Sequence, residues 1–298
     1  MKRGTLFLLF VNYALQTLNL LRPFDSKKCM QTILDRFDPI ELSQMKGIRL
    51  MNRIDTKYVT TLETLRRFLI MAEEHYYVQD FHGRRMMPYH TIYLDTPDQR
   101  MYHDHQRGKK HRYKVRMRMY ENDMVSFLEV KNKSNKGRTK KKRTEIEDLT
   151  APPAVIADEG NGSIEERRAM AMGYLQELVP YDAEELIPTI ENRFRRITLV
   201  NKAKTERLTI DMEISFHNIL TGNDVSLPDH VIIELKRDGL IPSPATELLR
   251  QLRIKKMGFS KMAIGTALTS PELKQNLFKQ RIHQIFKMTD KPATAINK

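Results

Sequence analysis

The chain has 298 residues, with 51 Lys and Arg against 37 Asp and Glu, a formal charge of +14 and a pI near 9.7. That excess points to an anionic partner such as phosphates, nucleic acid or an acidic membrane, and 40% hydrophobic content fits a soluble protein that buries a real core. A single cysteine, Cys29, excludes an internal disulfide framework and a multi-cysteine zinc site, and a reducing, cytoplasmic setting is the default.

The uncharged stretch LFLLFVNYALQTLNLL (6–21) is flanked by Lys2, Arg3 and Arg22. It is short for a bilayer span and has no convincing cleavage site for export. Met30 is an alternative start, so residues 1–29 are read as an uncertain extension, with a membrane role held open. FDPIELSQMKG (37–47) reads as a short helix, with Asp38 as N-cap, Pro39 at the first position, Glu41 closing a capping box and Gly47 ending it. RIDTKYVTT (53–61) alternates as a strand. Leu62, Leu65, Leu69 and Ala72 give helical spacing to TLETLRRFLIMAEEHYY (61–77).

MPYHTIYLDTPD (87–98) reads as a strand ending in a turn, and MYHDHQRGKKH (101–111) as a turn between strands. HRYKVRMRMYE (111–121) and MVSFLEVKNK (124–133) read as a hairpin about Asn122-Asp123. KKKRTEIEDL (140–149) returns as a strand after a turn at Gly137. Ser163 and Glu166 form a capping box that opens a helix over 163–179. Strands follow at 193–201, 207–216 and 230–238, then a helix after Pro244. Residues from about 270 read as a terminal helix and a basic tail. The count is about eight strands, mostly in antiparallel succession, with helices between them.

Residues two apart share one side of a strand. On that parity lie Arg53, Asp55 and Lys57; Lys114, Arg116 and Arg118; Glu129, Lys131 and Lys133; Lys141, Arg143, Glu145 and Glu147; Arg207, Asp211 and Glu213; and Glu234 with Lys236. The residues between them are often apolar, as at Ile54, Val115, Val130, Leu208 and Ile233. For any one strand, such a face is ordinarily the solvent face. Repetition over at least six strands favours a barrel with an apolar exterior wrapped by helices and charges inside. Enclosed charges need partners or a ligand, and the surplus of bases fits a polyanion, with a divalent cation shared by the carboxylates.

The stretches RIDTKYV, TIYLDT, KVRMRMY, FLEVKNK with GRTKKKR, FRRITL, RLTID, IIELK and GFSKMAIG run in this order over about residues 50 to 267. Together they resemble the VTC-type polyphosphate polymerase domain, a branch of the CYTH-like triphosphate tunnel metalloenzymes. The resemblance implies an α+β fold built on an eight-stranded antiparallel β-tunnel with flanking helices, occupying residues 30–270 and followed by a C-terminal helix and tail at 271–298. It implies phosphate-binding and catalytic roles for Lys57, Arg116, Arg118, Lys131, Arg196 and Lys261. Arg53, Lys114, Lys133, Lys141, Arg143, Arg207 and Lys236 are further phosphate-binding candidates. Glu234 would hold Mn2+ or Mg2+, supported by Glu129, Asp211 and Glu213. The family's tunnel-mouth arginine has no clear match, and His105, Arg107 and Lys109 are candidates for its place.

The implied function is metal-dependent phosphoryl transfer on ATP, another nucleoside triphosphate or inorganic polyphosphate, first of all polyphosphate synthesis with release of ADP. Hydrolysis of tri- or polyphosphate and non-catalytic polyphosphate or nucleotide binding are the alternatives. The residues do not identify a membrane partner. His103, Asp104, His105 and His111 lack the spacing of a known zinc site. The eight Lys and Arg of residues 131–143 invite a nucleic-acid reading, but the chain has no tryptophan and no recognisable nucleic-acid-binding motif. No nucleic acid is expected as partner.

Overall fold

Alternation of charged and apolar side chains gives each strand two incompatible faces, and the fold separates them. The computed structural model describes residues 26–45, 53–135, 139–156, 162–239, 241–289 and 294–295. The elements run α1 (Ser26–Leu34), β1 (Asp38–Ile40), α2 (Leu42–Met45), β2 (Arg53–Thr61), α3 (Leu62–Ala72), β3 (Tyr76–Gln79), β4 (Met87–Asp95), α4 (Arg100–Gln106), β5 (Arg112–Tyr120), β6 (Val125–Lys133) and β7 (Thr139–Ile146). They continue with α5 (Ile164–Gln176), β8 (Ile187–Asn201), β9 (Glu206–Asn218), β10 (Asp224–Leu227), β11 (His230–Asp238), α6 (Pro244–Gln251), α7 (Lys261–Thr269), α8 (Asn276–Phe286) and β12 (Thr294–Ala295).

Eight strands form one antiparallel wall in the order β2-β11-β9-β8-β4-β5-β6-β7. The short strands attach to it: β3 pairs with β8, β1 runs parallel to β3, β10 pairs with β9 and β12 with β10. The edge strands β2 and β7 are not hydrogen-bonded to each other among the described residues. The outer edge of β2 is met instead by the chain after α6, through a bridge from Tyr58 to Lys256 and a Met257 N–H donated to the Lys57 carbonyl. All eight strands contribute to the lining of one cavity, so the wall curls into a tunnel.

The apolar faces lie outside that tunnel, beneath helices. Val115, Met117, Leu128, Val130 and Ile146 pack with residues of α4, α5, α7 and α8. Tyr58, Ile197, Leu199, Leu208, Ile210, Ile233 and Leu235 pack with residues of α1, α3 and α6. Helix α8 belongs to the first of these clusters through Phe278 and Ile285. No described helix is long and apolar enough to cross a membrane. Residues 6–21, Gly47 and Gly137 lie outside the described residues.

Several local expectations are corrected. Asp38–Ile40 is a strand held in parallel register against Tyr77–Gln79, and the helix starts later, at Leu42, with the Glu41 N–H donated to Gln44 Oε1. Pro39 is tolerated there because β1 is an edge with only one neighbour. The helix after β2 stops at Ala72 and passes through a short 3-10 turn, because Tyr76 onward is drawn into pairing with β8. The stretch read as a turn after Pro97 is helix α4. Its N-cap residue, Gln99, has φ +53° and no capping side-chain bond. Asp95 caps it from a distance, accepting from the N–H groups of Met101 and Tyr102 at 2.9 Å.

Helix α7 was absent from the sequence reading. It opens on Ser260, whose hydroxyl accepts from Ala263 N–H at 3.3 Å, and it is buried nearly all round. Gly265 lets it lie against β9, since a Cβ there would stand 2.4 Å from Phe216 Cδ1. Gly265→Ala therefore forces the buried Phe216 ring or the helix to shift, and lowers stability by about 1–3 kcal/mol in chemical denaturation.

Candidate functional site

The strand registers bring the predicted charges together. Lys57 lies opposite Glu234, Lys236 opposite both Asp55 and Arg207, and Arg196 opposite Asp211. Arg116 lies opposite Glu129, and Glu129 opposite Arg143. These residues line a cavity of about 1070 Å³. Thirteen lysines and arginines line it against five carboxylates, so the walls carry a large positive excess.

Three buried or half-buried carboxylates each hold two cations. Arg196 grips Asp211 with both nitrogens, Nε to Oδ1 at 2.6 Å and Nη2 to Oδ2 at 2.8 Å, while Lys261 Nζ bonds the same Oδ2. Arg116 Nε donates to Glu129 Oε2 at 2.6 Å, and Lys141 bonds the other oxygen. Lys57 Nζ stands 3.6 Å from Glu234 Oε1, and Lys236 Nζ donates to Glu234 Oε2 and to Thr209 Oγ1. Burial alone would raise each carboxyl, but the neighbouring cations overcome it. They hold Asp211 and Glu234 well below the usual range and bring Glu129 down to about 2.

The lysines feel the opposite pressure. Burial lowers Lys236 to about 8 against the pull of Glu234. Burial also lowers Lys261, with Arg196 and Lys57 adding to it. Lys114 falls well below its ordinary value through burial and the fields of Lys57 and Lys131. In the registers, Lys114, Lys131 and Lys141 lie directly abreast across β5, β6 and β7. Like charges facing one another across a sheet destabilise it. Among the described residues Lys114 Nζ has a neutral partner, Ser260 Oγ at 2.7 Å, and no ion pair. The arrangement makes physical sense as a seat for an anion that is not part of the chain.

Aromatic rings hold some cations in place. Arg196 lies over Tyr89 at 4.8 Å, Lys261 over Phe194 at 4.1 Å and Arg143 over Phe127 at 4.3 Å. Arg118 is buried and reaches Thr91 Oγ1 at 3.3 Å.

Not every candidate reaches the cavity. Glu213 has φ +53° beside a β-bulge that shifts the register between Arg193 and Arg195. The bulge moves Glu213 to the outer face, where its partner is Arg195 at 3.6 Å, so it cannot support a cation in the tunnel. Lys133 sits at the end of β6 opposite Arg112 and outside the cavity lining. Arg53 opens β2 opposite Asp238, and its side chain lies outside the described residues. Of the tunnel-mouth candidates only His105 lines the cavity; Arg107 and Lys109 are exposed, and Lys109 pairs with Asp104 at 2.5 Å.

Missed by the sequence reading were Arg112 and Arg281, which line the cavity, and the aromatic seats at Tyr89, Phe127 and Phe194. The β5 alternation, extended one step back from Lys114, gives Arg112.

The carboxylates differ in what they can offer a metal. The Glu129 and Asp211 side chains are 1% and 5% exposed and spent on arginine, whereas Glu234 is 20% exposed. Asp55 lines the same side of the cavity. Among the described residues no cluster of three His, Cys, Asp or Glu is arranged to hold a metal alone. Glu234 and Asp55 fit a hard cation that takes its remaining ligands from water or another oxygen-rich group.

The VTC domain family model matches residues 52–270. Among solved structures, a putative adenylate cyclase from Vibrio parahaemolyticus aligns at 12% identity and TM-score 0.42, over 72% of this chain and 98% of that one. A putative adenylyl cyclase from Hippeastrum, described as having a dominant triphosphatase activity, aligns at 15% identity and TM-score 0.42, over 73% and 96%. The PH1819 protein of Pyrococcus horikoshii aligns at 14% identity and TM-score 0.39, over 71% and 97%. No curated protein matches. The chain belongs to the VTC domain family.

Replacing Lys131 by methionine removes the middle charge of the row. Lys131→Met is expected to stabilise the ligand-free protein by about 0.5–1 kcal/mol while weakening binding of tripolyphosphate. Melting curves and calorimetry of the same variant read both effects, and a loss of stability contradicts the repulsion.

Proposed function

We propose that this member of the VTC domain family binds a nucleoside triphosphate or a condensed phosphate chain in the tunnel and transfers a phosphoryl group with the help of Mn2+ or Mg2+. The observation that carries the reading is the row of like-charged lysines facing an arginine-rich wall, which lacks enough carboxylates of its own. Phosphoryl transfer asks a protein mainly to align the reactants and spread their charge. Lys57, Arg116, Arg118, Lys131, Arg196 and Lys261 are the groups placed to do so. Glu234, with Asp55 beside it, would hold the divalent cation, which when bound neutralises phosphate charge. Glu129 and Asp211 keep the arginines and lysines in position.

In the favoured reaction, a terminal phosphate oxygen of the acceptor chain attacks the γ-phosphorus of ATP. A new P–O–P link forms, the β–γ bridge breaks, and its electron pair leaves on ADP. The length of the basic lining supports chain growth over hydrolysis. On β5 alone Arg112, Lys114, Arg116 and Arg118 face the cavity in sequence over about 20 Å.

Incubation of the full chain with ATP and Mn2+ is expected to yield ADP and a ladder of polyphosphate on gels. Glu234→Gln is expected to cut turnover by about a hundredfold or more, with a far smaller effect on ATP affinity. Free phosphate without a ladder would reassign the protein to the hydrolases. Binding without either product would leave a polyphosphate-binding module.

A further inference from the structure

The family match ends at residue 270, yet helix α8, which follows it, reaches the cavity through Phe278 and Arg281. Arg281 runs beside the chain that leads into α7, where a Cβ on Gly258 would lie 3.8 Å from its Cζ. Arg112, Lys114 and His105 also line the cavity, with His105 against Phe278 and within the fields of Arg112, Lys114 and Arg281. Arg112 donates to the Lys109 carbonyl at 2.7 Å and Lys114 to Ser260. Among the described residues no ion pair holds Arg112, Lys114 or Arg281.

His105 is the second mark of a ligand. It is 7% exposed and lines the cavity, and its Nδ1 has no hydrogen-bond partner among the described residues. Its ring stands edge-on to Phe278 at 5.5 Å, which fixes its direction. Burial, with Lys114, Arg112 and Arg281 close by, holds the imidazole far below its ordinary value. It therefore stays neutral and offers a hydrogen bond without adding charge. A neutral imidazole beside cations that no described carboxylate pairs with suits an oxygen-rich anion.

We propose that Arg281, Arg112, Lys114 and His105 form a second anion subsite at the α8 end of the tunnel, which takes the distal phosphates of a chain longer than a triphosphate. The subsite rests on the tunnel reading of the preceding section and deepens it. The inner group around Lys57, Arg116 and Arg196 holds the nucleotide-sized portion, and α8 adds a grip that selects for chain length. Arg281 is half-buried, so its replacement tests charge rather than packing.

Calorimetric titration of the full chain and of Arg281→Ala and Arg281→Lys with tripolyphosphate and with size-fractionated long polyphosphate provides the test, with melting curves as the check on folding. Arg281→Ala is expected to weaken the long chain about tenfold more than tripolyphosphate, the effect of losing one charge-assisted hydrogen bond. Arg281→Lys is expected to recover part of that loss. Equal weakening of both ligands, or weakening of neither, would overturn the subsite while leaving the tunnel reading in place. A wild-type chain that binds neither ligand would overturn both.

Discussion

Lysines placed abreast in a folded sheet have to be compensated, and much of this structure follows from that constraint. Lys114, Lys131 and Lys141 face one another across three strands, with Lys57 on β2 close enough to lower Lys114 and Lys131 further. A solvent face would disperse such charge into water. Here the wall curls so that the charges look at each other, and the apolar faces turn outward beneath helices. The hydrophobic core is therefore a jacket around the tunnel rather than its contents. Its burial offsets the cost of keeping a polar interior open.

The carboxylates divide that interior. Asp211 and Glu129 are sealed against arginine and lysine and act as fixed posts. Breaking such a pair by removing one partner leaves an uncompensated buried charge, which is why these posts serve orientation better than chemistry. Glu234 is paired with Lys57 and Lys236 and stands more open to the cavity. That difference is why the proposed metal role falls to Glu234 rather than to Glu129 or Asp211. The start of helix α7 links two strands of the wall, since Lys261 reaches Asp211 on β9 while Ser260 meets Lys114 on β5.

The wall was legible in the sequence because period-two alternation is a local property. Once Lys114, Arg116 and Arg118 share a face, any antiparallel partner must present its own parity to the same side. The count of eight strands and the inward direction of the charges followed from repetition and from resemblance, whereas the order of the strands in the wall did not. What failed were features settled by distant partners. Asp38–Ile40 carried a helix-start signature but found a strand partner in Tyr77–Gln79. Helix α4 is capped by Asp95, upstream of the position where a cap is sought. Helix α7 is buried nearly all round and shows no amphipathic period. Glu213 kept the parity of Asp211 in the sequence and lost it in the structure, because one bulge residue flips everything beyond it. Arg281 lay past the matching segment, and only packing brings it in.

Burial and the neighbouring cations lower the tunnel lysines in the ligand-free chain. Lys236 is lowered to about 8 and Lys114 and Lys261 are also depressed, so a bound polyanion would raise all three toward their ordinary values. The bound state then carries more protons than the free state. Affinity would accordingly be lost as pH rises through about 7 to 8, and would be fully present only below the depressed values of all three lysines. Titration of tripolyphosphate into the full chain near pH 8, in two buffers of different ionisation heat, reads this directly. Net proton uptake on binding is expected, after correction for the ligand's own titration. Binding with no uptake, or with release from the protein, would contradict it.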